Sequence, residues 1–595
     1  MKRLNIFAIA AGAATIAAGA AEPNLRTEIN VDRTVVPVQR PASPLHSVSP
    51  SILSPEIETR TLRLTEYGEP SAFDNSITTL AAARHTGLKG PSPYRGYAAV
   101  GYFPAFNLGA SAGYRFVSTQ RTSLGAWLQY DGYSYKAHGV PATAAGDRPS
   151  VKNNTVTLGA DFVQRFGKRS RLNAALDYTY GALSLPVADA ATAVSAPQSR
   201  SISAFNATLS FHSGYGAVAW HAGADFDHFA QGKALTIPTA RGPVAADGAS
   251  ENRAGFRLGA FGQFSKATYV GLEATADVLH RCRGLLLLET GSPNDALASP
   301  SLPVTAGTPE KTTSAIIKLM PYFGAKGRNM SVRLGLDVNI ATINLGNHLH
   351  LAPNVLIDWN PASTVAVYAR FTGGDSFNSL RSIYSRMGAF APSVFVHTPS
   401  NTPVAADFGL NFGPFKGAAV ELYGSYAATH NALMPVLLDY DGATLGTLLN
   451  VNLSGWRAGA ALSYTWRDRI KARASFDILP HSYTSGFADA FDRAKTVTKL
   501  DLEGKPADKI SLGLTYELRT GRRYYAIPVA GASSLLPAPR HMPNSSELNF
   551  RGSYAVNDAI SISLSAENLL CRRAEALPWL PADALHGLLG VEVKF

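Results

Sequence analysis

The chain has 595 residues, a formal net charge of +11 and two cysteines, and 16% of its residues are charged. Two cysteines exclude a disulfide scaffold, and basic residues that are scattered rather than clustered argue against nucleic acid as a partner. Abundant glycine and aromatic residues with a mean hydropathy near zero are typical of a lipid-spanning β-barrel, in which apolar and polar residues alternate.

The N-terminal residues predict export from the cytoplasm. Lys2 and Arg3 precede an apolar run from Ile6 to Ala18, and small residues follow that run. This pattern is typical of a secretory signal peptide, which we assign to residues 1–20. The rest of the chain contains no apolar run of about 18 residues, so we expect no transmembrane helix.

Residues 21–95 are rich in proline, as in Val35-Val36-Pro37-Val38. We expect them to form a mostly extended segment that lies in the periplasm or in the lumen of a barrel. Proline lacks the backbone N–H that regular helices and sheets require, which favours an extended chain.

Residues 96–595 are predicted to form an all-β, transmembrane, antiparallel β-barrel of about 22 strands. Apolar and polar positions alternate strictly over segments such as 331–340 and 509–518. Repetition along the whole segment favours lipid as the partner of the apolar faces. Short turns, such as Ser118–Arg121, are expected to alternate with long outer loops, predicted at 137–150, 181–200, 229–250, 282–311, 373–403, 431–450, 483–495, 521–545 and 571–583.

The final strand predicts where the barrel closes. Residues 585–595 alternate and end on Phe595. We interpret Gly590, Val593 and Phe595 as the closure and assembly signal that the barrel-assembly machinery reads in Gram-negative bacteria, although Leu588 stands where a polar residue is usual. The expected location is therefore the cell outer membrane, with its lipid and lipopolysaccharide as partners.

The C-terminal hairpins resemble those of the TonB-dependent receptors. The residues that carry the resemblance are Ala566, Glu567, Asn568, Leu569 and Leu570 at the end of the penultimate strand, together with Tyr516–Arg519 and Gly521–Tyr525. The resemblance covers residues 96–595 and implies the 22-stranded barrel of that family. It also implies an N-terminal plug, for which residues 21–95 are too short, so we expect a receptor-like barrel without its own plug.

A barrel of this size needs a filler for its lumen, because barrels of 16–18 strands already leave an aqueous channel. Three fillers remain open: residues 21–95, outer loops that fold inward, and a separate plug or periplasmic partner protein. Six charged residues on the polar faces of predicted strands are candidates for the lumen wall: Arg333, Asp337, Glu517, Arg519, Glu547 and Arg551.

Three motifs carry weaker functional signals. Residues 109–113 match G-x-S-x-G but lie within an alternating strand, whereas the nucleophile elbow requires a strand–turn–helix. His348 and His350 share a strand face without an evident third metal ligand. Cys282 and Cys571 could pair in an oxidising compartment. We therefore expect no enzymatic activity, cofactor or metal.

The sequence as a whole favours an outer-membrane barrel that supports the passage of an unknown solute. The alternative is a scaffold or surface-adhesion protein that does not transport.

Overall fold

The computed structural model describes residues 94–104, 107–137, 142–167, 169–189, 194–215, 217–232, 235–239, 242–246, 248–283, 312–343, 346–387, 399–440, 443–467, 469–479, 481–483, 494–528, 538–572 and 585–595. The predicted signal peptide and almost all of the predicted segment 21–95 lie outside these residues. Within them, no helix is long and apolar enough to cross a membrane.

The described residues form 27 strands and a short helix. In chain order these are β1 (Gly96–Phe103), β2 (Asn107–Ser118), β3 (Thr122–Lys136), β4 (Ser150–Phe166), β5 (Ser170–Asp189), β6 (Val194–Tyr215), β7 (Val218–Gly232), β8 (Leu235–Thr239), β9 (Gly242–Ala246), β10 (Ala249–Gln263), β11 (Thr268–Arg283), β12 (Thr312–Lys326), β13 (Met330–Ile343), β14 (Gly346–Ala362), β15 (Val365–Ser376), α1 (Leu380–Met387), β16 (Ser400–Phe415), β17 (Ala418–Tyr440), β18 (Ala443–Trp466), β19 (Ile470–Ile478), β20 (His481–Tyr483), β21 (Thr496–Ala507), β22 (Ile510–Thr520), β23 (Arg523–Pro528), β24 (Ala538–His541), β25 (Ser545–Ala555), β26 (Ile560–Glu567) and β27 (His586–Lys594).

Twenty-two of these strands form a closed antiparallel ring. The ring follows chain order, except that it passes from β7 to β10, from β19 to β21 and from β22 to β25. It closes where β27 pairs with β1. The predicted fold class and strand count are therefore confirmed.

Side chains on the two faces of each strand differ as a membrane barrel requires. On β13, Leu334 and Leu336 are exposed on the outer surface, whereas Asp337 and Asn339 are buried on the inner face. Large apolar side chains such as Phe256 and Leu258 continue this outer belt on β10. Because lipid offers no hydrogen bonds, a sheet is stable there only if it is closed and has an apolar exterior.

Most of the short turns lie within a few residues of their predicted positions. β2 and β3 are joined at residues 119–121, and β18 and β19 at residues 467–469. Trp359 and Trp466 lie beside turns at this end of the barrel and are exposed on its outer surface. Tryptophan prefers the boundary between acyl chains and water, which fits a periplasmic girdle.

Three of the predicted outer loops are wrong. Residues 181–200 and 431–450 lie mostly in strands, because β5 extends to Asp189 and β17 extends to Tyr440. Residues 229–250 also lie mostly in strands, because β8 and β9 form a hairpin between β7 and β10. The prolines and glycines of these segments are typical of loops. The chain nevertheless continues as two-stranded ribbons beyond the membrane, where proline is tolerated at a free edge.

These long ribbons approach one another over the outer mouth of the barrel. The β8–β9 hairpin contacts β5, β6 and β18, and β5 also contacts β18. β5 and β18 are the fifth and sixteenth strands of the ring of 22, so they start from opposite sides of the barrel. β23 pairs in parallel with the outer end of β17, which extends this covering sheet.

The closing strand leads to a prediction about assembly. The carbonyl oxygen of Phe595 accepts hydrogen bonds from the N–H groups of Arg95 and Gly96 at 2.8 and 2.7 Å. The Phe595 ring stacks on Tyr114 with the ring centroids 6.4 Å apart. We expect Phe595→Asp to reduce the amount of assembled barrel sharply, because a carboxylate then faces the apolar boundary. Heat-modifiable mobility on gels measures the assembled fraction.

Phe595→Tyr is the matched control for this substitution, because it keeps the ring and adds only a hydroxyl. It should assemble normally. Normal assembly of Phe595→Asp would contradict a role for the terminal residue in closure.

Candidate lumen constriction

A short helix in the connection between β15 and β16 packs against the inner wall. The Oγ of Ser379 accepts a hydrogen bond from the backbone N–H of Ser382 at 3.1 Å, so Ser379 caps the first turn of α1. Leu380, Ile383 and Tyr384 share one face of the helix, and all three are buried. This apolar stripe fixes the rotation of α1 against its neighbours.

Arg381 connects α1 to strands on a distant part of the wall. Its Nη1 donates a hydrogen bond to Oδ2 of Asp227 at 2.6 Å, and its Nη2 lies 3.7 Å from Oδ2 of Asp177. Its backbone N–H donates to Oε1 of Glu251 at 3.1 Å. These acidic residues lie on β5, β7 and β10, the fifth, seventh and eighth strands of the ring, whereas α1 leaves from the thirteenth. The segment therefore crosses the interior of the barrel.

A buried ion pair holds the start of this segment. Oε2 of Glu251 lies 3.6 Å from Nε of Arg281, and both side chains are only 3% exposed. Nη2 of Arg281 also donates a hydrogen bond to the carbonyl oxygen of Asn378 at 2.5 Å. Removal of one member of a buried pair leaves an uncompensated charge, which typically costs about 3–5 kcal/mol. The pair therefore fixes Arg281, whose hydrogen bond to Asn378 attaches the start of the segment to the wall.

An aromatic contact fills the space between helix and wall. The rings of Tyr384 on α1 and Phe229 on β7 lie 5.5 Å apart, and both side chains are buried. Burial raises the pKa of Tyr384 to about 12, although the nearby Arg200 opposes this shift. The Tyr384 hydroxyl therefore keeps its proton at neutral pH. The contact combines apolar packing with a neutral polar group.

The far end of β15 is attached to its neighbours through Asp375. A β-bulge between Thr372 and Gly374 shifts the register of β15. Gly374 has a φ of 117°, a backbone conformation that residues with a side chain rarely adopt. After this shift Asp375 is buried, accepts a hydrogen bond from Nδ2 of Asn401 at 2.7 Å and contacts Nδ1 of His350 at 2.9 Å. The bulge thus aims a carboxylate at the inner face, just before the helix.

The wall beneath α1 carries further ion pairs between neighbouring strands. Arg253 contacts Asp277 at 2.7 Å and Asp225 at 3.6 Å, and Arg257 contacts Asp225 at 3.0 Å. The Arg257 side chain is 55% exposed, so it retains contact with water. Together with the acidic partners of Arg381, these residues line one side of the lumen with alternating charges.

A second polar cluster lies on β17 to β19. The hydroxyl of Tyr423 and Nε of Arg457 donate hydrogen bonds to the same carboxylate oxygen of Asp477, at 2.7 and 2.9 Å. Arg473 contacts Glu421 at 2.6 Å. Hydrogen-bonded pairs of this kind stiffen the wall, because each charged group has a neighbour that fixes its position.

The charged residues selected from the sequence lie on β13, β22 and β25, away from the strands that contact α1. Arg333 lies 3.6 Å from the centre of the Tyr322 ring and 3.8 Å from Glu273. Asp337 accepts a hydrogen bond from Asn354 at 2.8 Å. These contacts join β13 to β11, β12 and β14.

The other four candidates lie on β22 and β25. Glu517 pairs with Arg519 on the same strand and stands directly opposite Glu547, which accepts a hydrogen bond from Asn549 at 2.7 Å. Arg551 stands opposite Gly513. The facing carboxylates Glu517 and Glu547 repel each other, and the neighbouring Arg519 and Asn549 offset that repulsion.

The remaining sequence motifs occupy structural positions. Asn568 directly follows β26 with a φ of 53°, and its side-chain Oδ1 accepts a hydrogen bond from the N–H of Arg572 at 3.2 Å. Leu569 and Leu570 follow it and are exposed, whereas Ala566 and Glu567 lie within β26 opposite Gly587 and His586. This segment therefore forms the turn out of the penultimate strand.

Closure residues and the catalytic-type motif lie in paired strands. Gly590 and Val593 of β27 stand opposite Gly101 and Ala98 of β1. Residues 109–113 lie inside β2, which continues as a strand to Ser118. Cys571 is an exposed free thiol, whereas the Cys282 side chain lies outside the described part of the structure.

Neither α1 nor its contacts were predicted from the sequence, although a local signal for the helix is present. Ser379 is followed by apolar residues at 380, 383 and 384, which is the pattern of a capped amphipathic turn. Neither Arg381 nor its acidic partners could be paired from sequence, because Asp227 is 154 residues away in the chain.

These features define a membrane barrel with a polar lumen that one of its own outer connections enters. No family model matches the sequence, and no curated protein matches it. Solved structures do match.

The FrpB iron transporter from Neisseria meningitidis matches with a TM-score of 0.61 and 12% identity, covering 85% of this chain and 82% of that chain. The copper transporter OprC matches with a TM-score of 0.58 and 11% identity, covering 84% and 80%. P. aeruginosa FpvA, bound to heterologous pyoverdines, matches with a TM-score of 0.61 and 12% identity, covering 84% and 72%.

At these identities the likeness concerns the fold. The chain has the 22-stranded barrel fold of the TonB-dependent receptors, as the sequence predicted, and this is an outer-membrane architecture. These neighbours are transporters and receptors rather than enzymes.

The close packing of β15 on β16 leads to a prediction about stability. Tyr368 is almost fully buried, and its ring lies over Gly409, where an added Cβ would overlap it. We expect Gly409→Ala to destabilise the barrel by about 1–3 kcal/mol, which is the usual cost of overpacking. The temperature at which heat-modifiable mobility is lost measures the effect.

Gly262→Ala serves as the control, because an added Cβ there meets open space. It should leave that temperature nearly unchanged. Equal stability of the two variants would show that the Tyr368 ring moves aside freely.

Proposed function

We propose that this protein supports the passage of a solute across the outer membrane through its lumen, and that the α1 segment constricts the path. The observation that carries the proposal is the set of contacts by which Arg381 joins α1 to Asp227, Asp177 and Glu251. A connection that enters a polar lumen and is held there by charged contacts restricts the path at its own position.

The α1 segment is attached to the wall at Arg381 and at Asn378, and the energies of these contacts suggest which one breaks first. Arg381 is 34% exposed, so solvent screens its pairs and each contributes about 0–1 kcal/mol. The hydrogen bond from Arg281 to the carbonyl oxygen of Asn378 is buried, and the almost fully buried pair with Glu251 keeps Arg281 in place. We infer that the helix detaches at Arg381 while the chain around Asn378 stays attached. A positively charged solute that binds Asp227 in place of Arg381 would favour the state in which α1 is detached.

The composition of the wall suggests weak ion selectivity. Arg333, Arg519 and Arg551 are balanced by Asp337, Glu517 and Glu547 along β13, β22 and β25. A wall with both signs of charge creates no strong field for either anions or cations. We therefore propose that these six residues line the path without strongly favouring one ion.

We further propose that passage needs no plug of the protein's own. The support is that α1, held by Arg381, and the outer ribbons already restrict the lumen. The partners in this proposal are outer-membrane lipid, lipopolysaccharide, the barrel-assembly machinery and, as an alternative filler, a separate plug protein. We propose no enzymatic activity and no nucleic-acid partner.

The ribbons over the mouth favour a second candidate function. The outer ends of β5, β6 and β18 together with β8 cover the lumen from outside. A permanently covered lumen suits a scaffold or adhesion protein whose outer sheet binds other molecules. Conductance separates the two functions, because a scaffold remains closed.

The Arg381 anchor leads to a prediction about channel opening. Arg381→Ala removes contacts worth about 1–2 kcal/mol together, so the open population should rise by about 5–30-fold. Single-channel recording in planar bilayers measures this population.

Arg257→Ala is the matched control, because Arg257 pairs with Asp225 on the same wall but its pairing does not involve α1. It should leave the open population near that of the parent protein. If neither variant conducts ions, the result would favour the alternative function as a scaffold or adhesion protein.

The proposed absence of a plug leads to a prediction in cells. Entry of a small chromogenic β-lactam through the Arg381→Ala protein should be equal in strains with and without TonB. Hydrolysis by a periplasmic β-lactamase reports that entry, and a strain lacking the barrel gives the background. Entry that disappears without TonB would show that a plug operates, and deletion of residues 21–95 in the same strain would test whether they form it.

A further inference from the structure

Two histidines near the outer end of the lumen have an arrangement that plays no part in the proposed constriction by α1. His348 and His350 lie on β14, which begins at Gly346 after the short outer connection from β13. They are two residues apart, so both project from the same face of the strand. Their rings are nearly parallel, at 9°, with centroids 6.2 Å apart.

Asp375 fixes the orientation of one of these rings. Its two carboxylate oxygens lie 3.0 and 2.9 Å from Nδ1 of His350. A carboxylate accepts hydrogen bonds, so a neutral His350 carries its proton on Nδ1 and presents the lone pair of Nε2. This is the arrangement by which proteins orient imidazoles that bind metals, with the carboxylate behind the ligand.

The carboxylate itself is held in place. Asp375 is only 2% exposed and accepts a hydrogen bond from Nδ2 of Asn401 at 2.7 Å. It reaches this position because the β-bulge at Gly374 shifts the register of β15. A buried, hydrogen-bonded carboxylate keeps the imidazole rigid, whereas a solvated one would not.

The two imidazoles differ in freedom. The His350 side chain is 37% exposed, so its ring edge reaches the lumen while Nδ1 stays attached to Asp375. His348 is exposed and can rotate to bring a nitrogen toward the same point. One oriented ligand and one adjustable ligand are sufficient to chelate an ion and leave its other positions open.

We propose that His348 and His350 form a binding site for a divalent transition metal, with Asp375 as the positioning residue behind His350. Neutral imidazole nitrogens suit Cu²⁺, Ni²⁺ and Zn²⁺, and Cu²⁺ should bind most tightly of these. Ca²⁺ and Mg²⁺ require oxygen ligands and should not bind here. Water or donor atoms of a bound solute complete the coordination, since the protein supplies two nitrogens.

The site does not depend on the proposed passage of solute, so the two ideas are tested separately. The experiment is a titration of the purified full-length protein in detergent with Cu²⁺, followed by calorimetry and electron paramagnetic resonance. We expect a tight first equivalent whose spectrum shows coupling to two imidazole nitrogens. Ca²⁺ should produce no heat of binding at the same concentrations.

Variants assign the first equivalent to these residues. His348→Gln should weaken it by at least about 10-fold and leave one imidazole in the spectrum, and His350→Gln should act similarly. Asp375→Asn should weaken it by about 10–100-fold, which is the usual effect of losing the carboxylate behind a ligand. His348 is exposed, so its replacement should not affect folding, and heat-modifiable mobility checks every variant.

A second pair of histidines provides the matched control. His212 on β6 and His221 on β7 have ring centroids 5.6 Å apart. His212→Gln should leave the first equivalent unchanged. Loss of that equivalent in His212→Gln, its retention in His348→Gln, or a spectrum with oxygen ligands alone would each overturn the proposal.

Discussion

The backbone hydrogen bond is the constraint on which the rest of this structure depends. In lipid an unpaired N–H or C=O group costs several kcal/mol, so every strand must have a partner on each side. The ring from β1 to β27 meets this requirement by pairing its two ends. Closure then separates an apolar outside from a polar inside, and it creates a lumen that must be filled.

The lumen shows how polar groups are accommodated once they are inside. Asp177, Asp227 and Glu251 meet the guanidinium and backbone of Arg381, and Asp477 receives hydrogen bonds from Tyr423 and Arg457. Each charge has a neighbour that compensates it, which is the condition for burying charge without a large penalty. The same contacts that satisfy the acidic wall also hold α1 across the interior. Filling the lumen and neutralising its wall are thus achieved together.

The sequence predicted the barrel well because its signal is local. Alternation in segments such as 331–340 follows from the two-residue repeat of a strand, and the strand count follows from the spacing of turns. The ribbons at 181–200 and 431–450 were missed because their prolines and glycines are typical of loops. The constriction was missed for a different reason. Arg381 meets residues 130 and 154 positions away, and no local pattern specifies which strands face each other across a lumen. Asp375 was missed because a bulge, rather than alternation, directs it inward.

The seam between β1 and β27 has a consequence for the order of folding. It joins residues near position 100 to residues near position 590 through six register pairs, whereas β3 and β4 share fifteen. Local hairpins can form as soon as their two strands are available. The seam instead requires the largest loop closure in the barrel, whose entropic cost grows with the length of chain enclosed. Sealing of the lumen is therefore the last event of folding, and a chain that stops before its final hairpin leaves an open sheet with two unpaired edges. Such edges promote aggregation. Formation of the short seam therefore separates a finished barrel, which has no free edge, from an unfinished one that can aggregate.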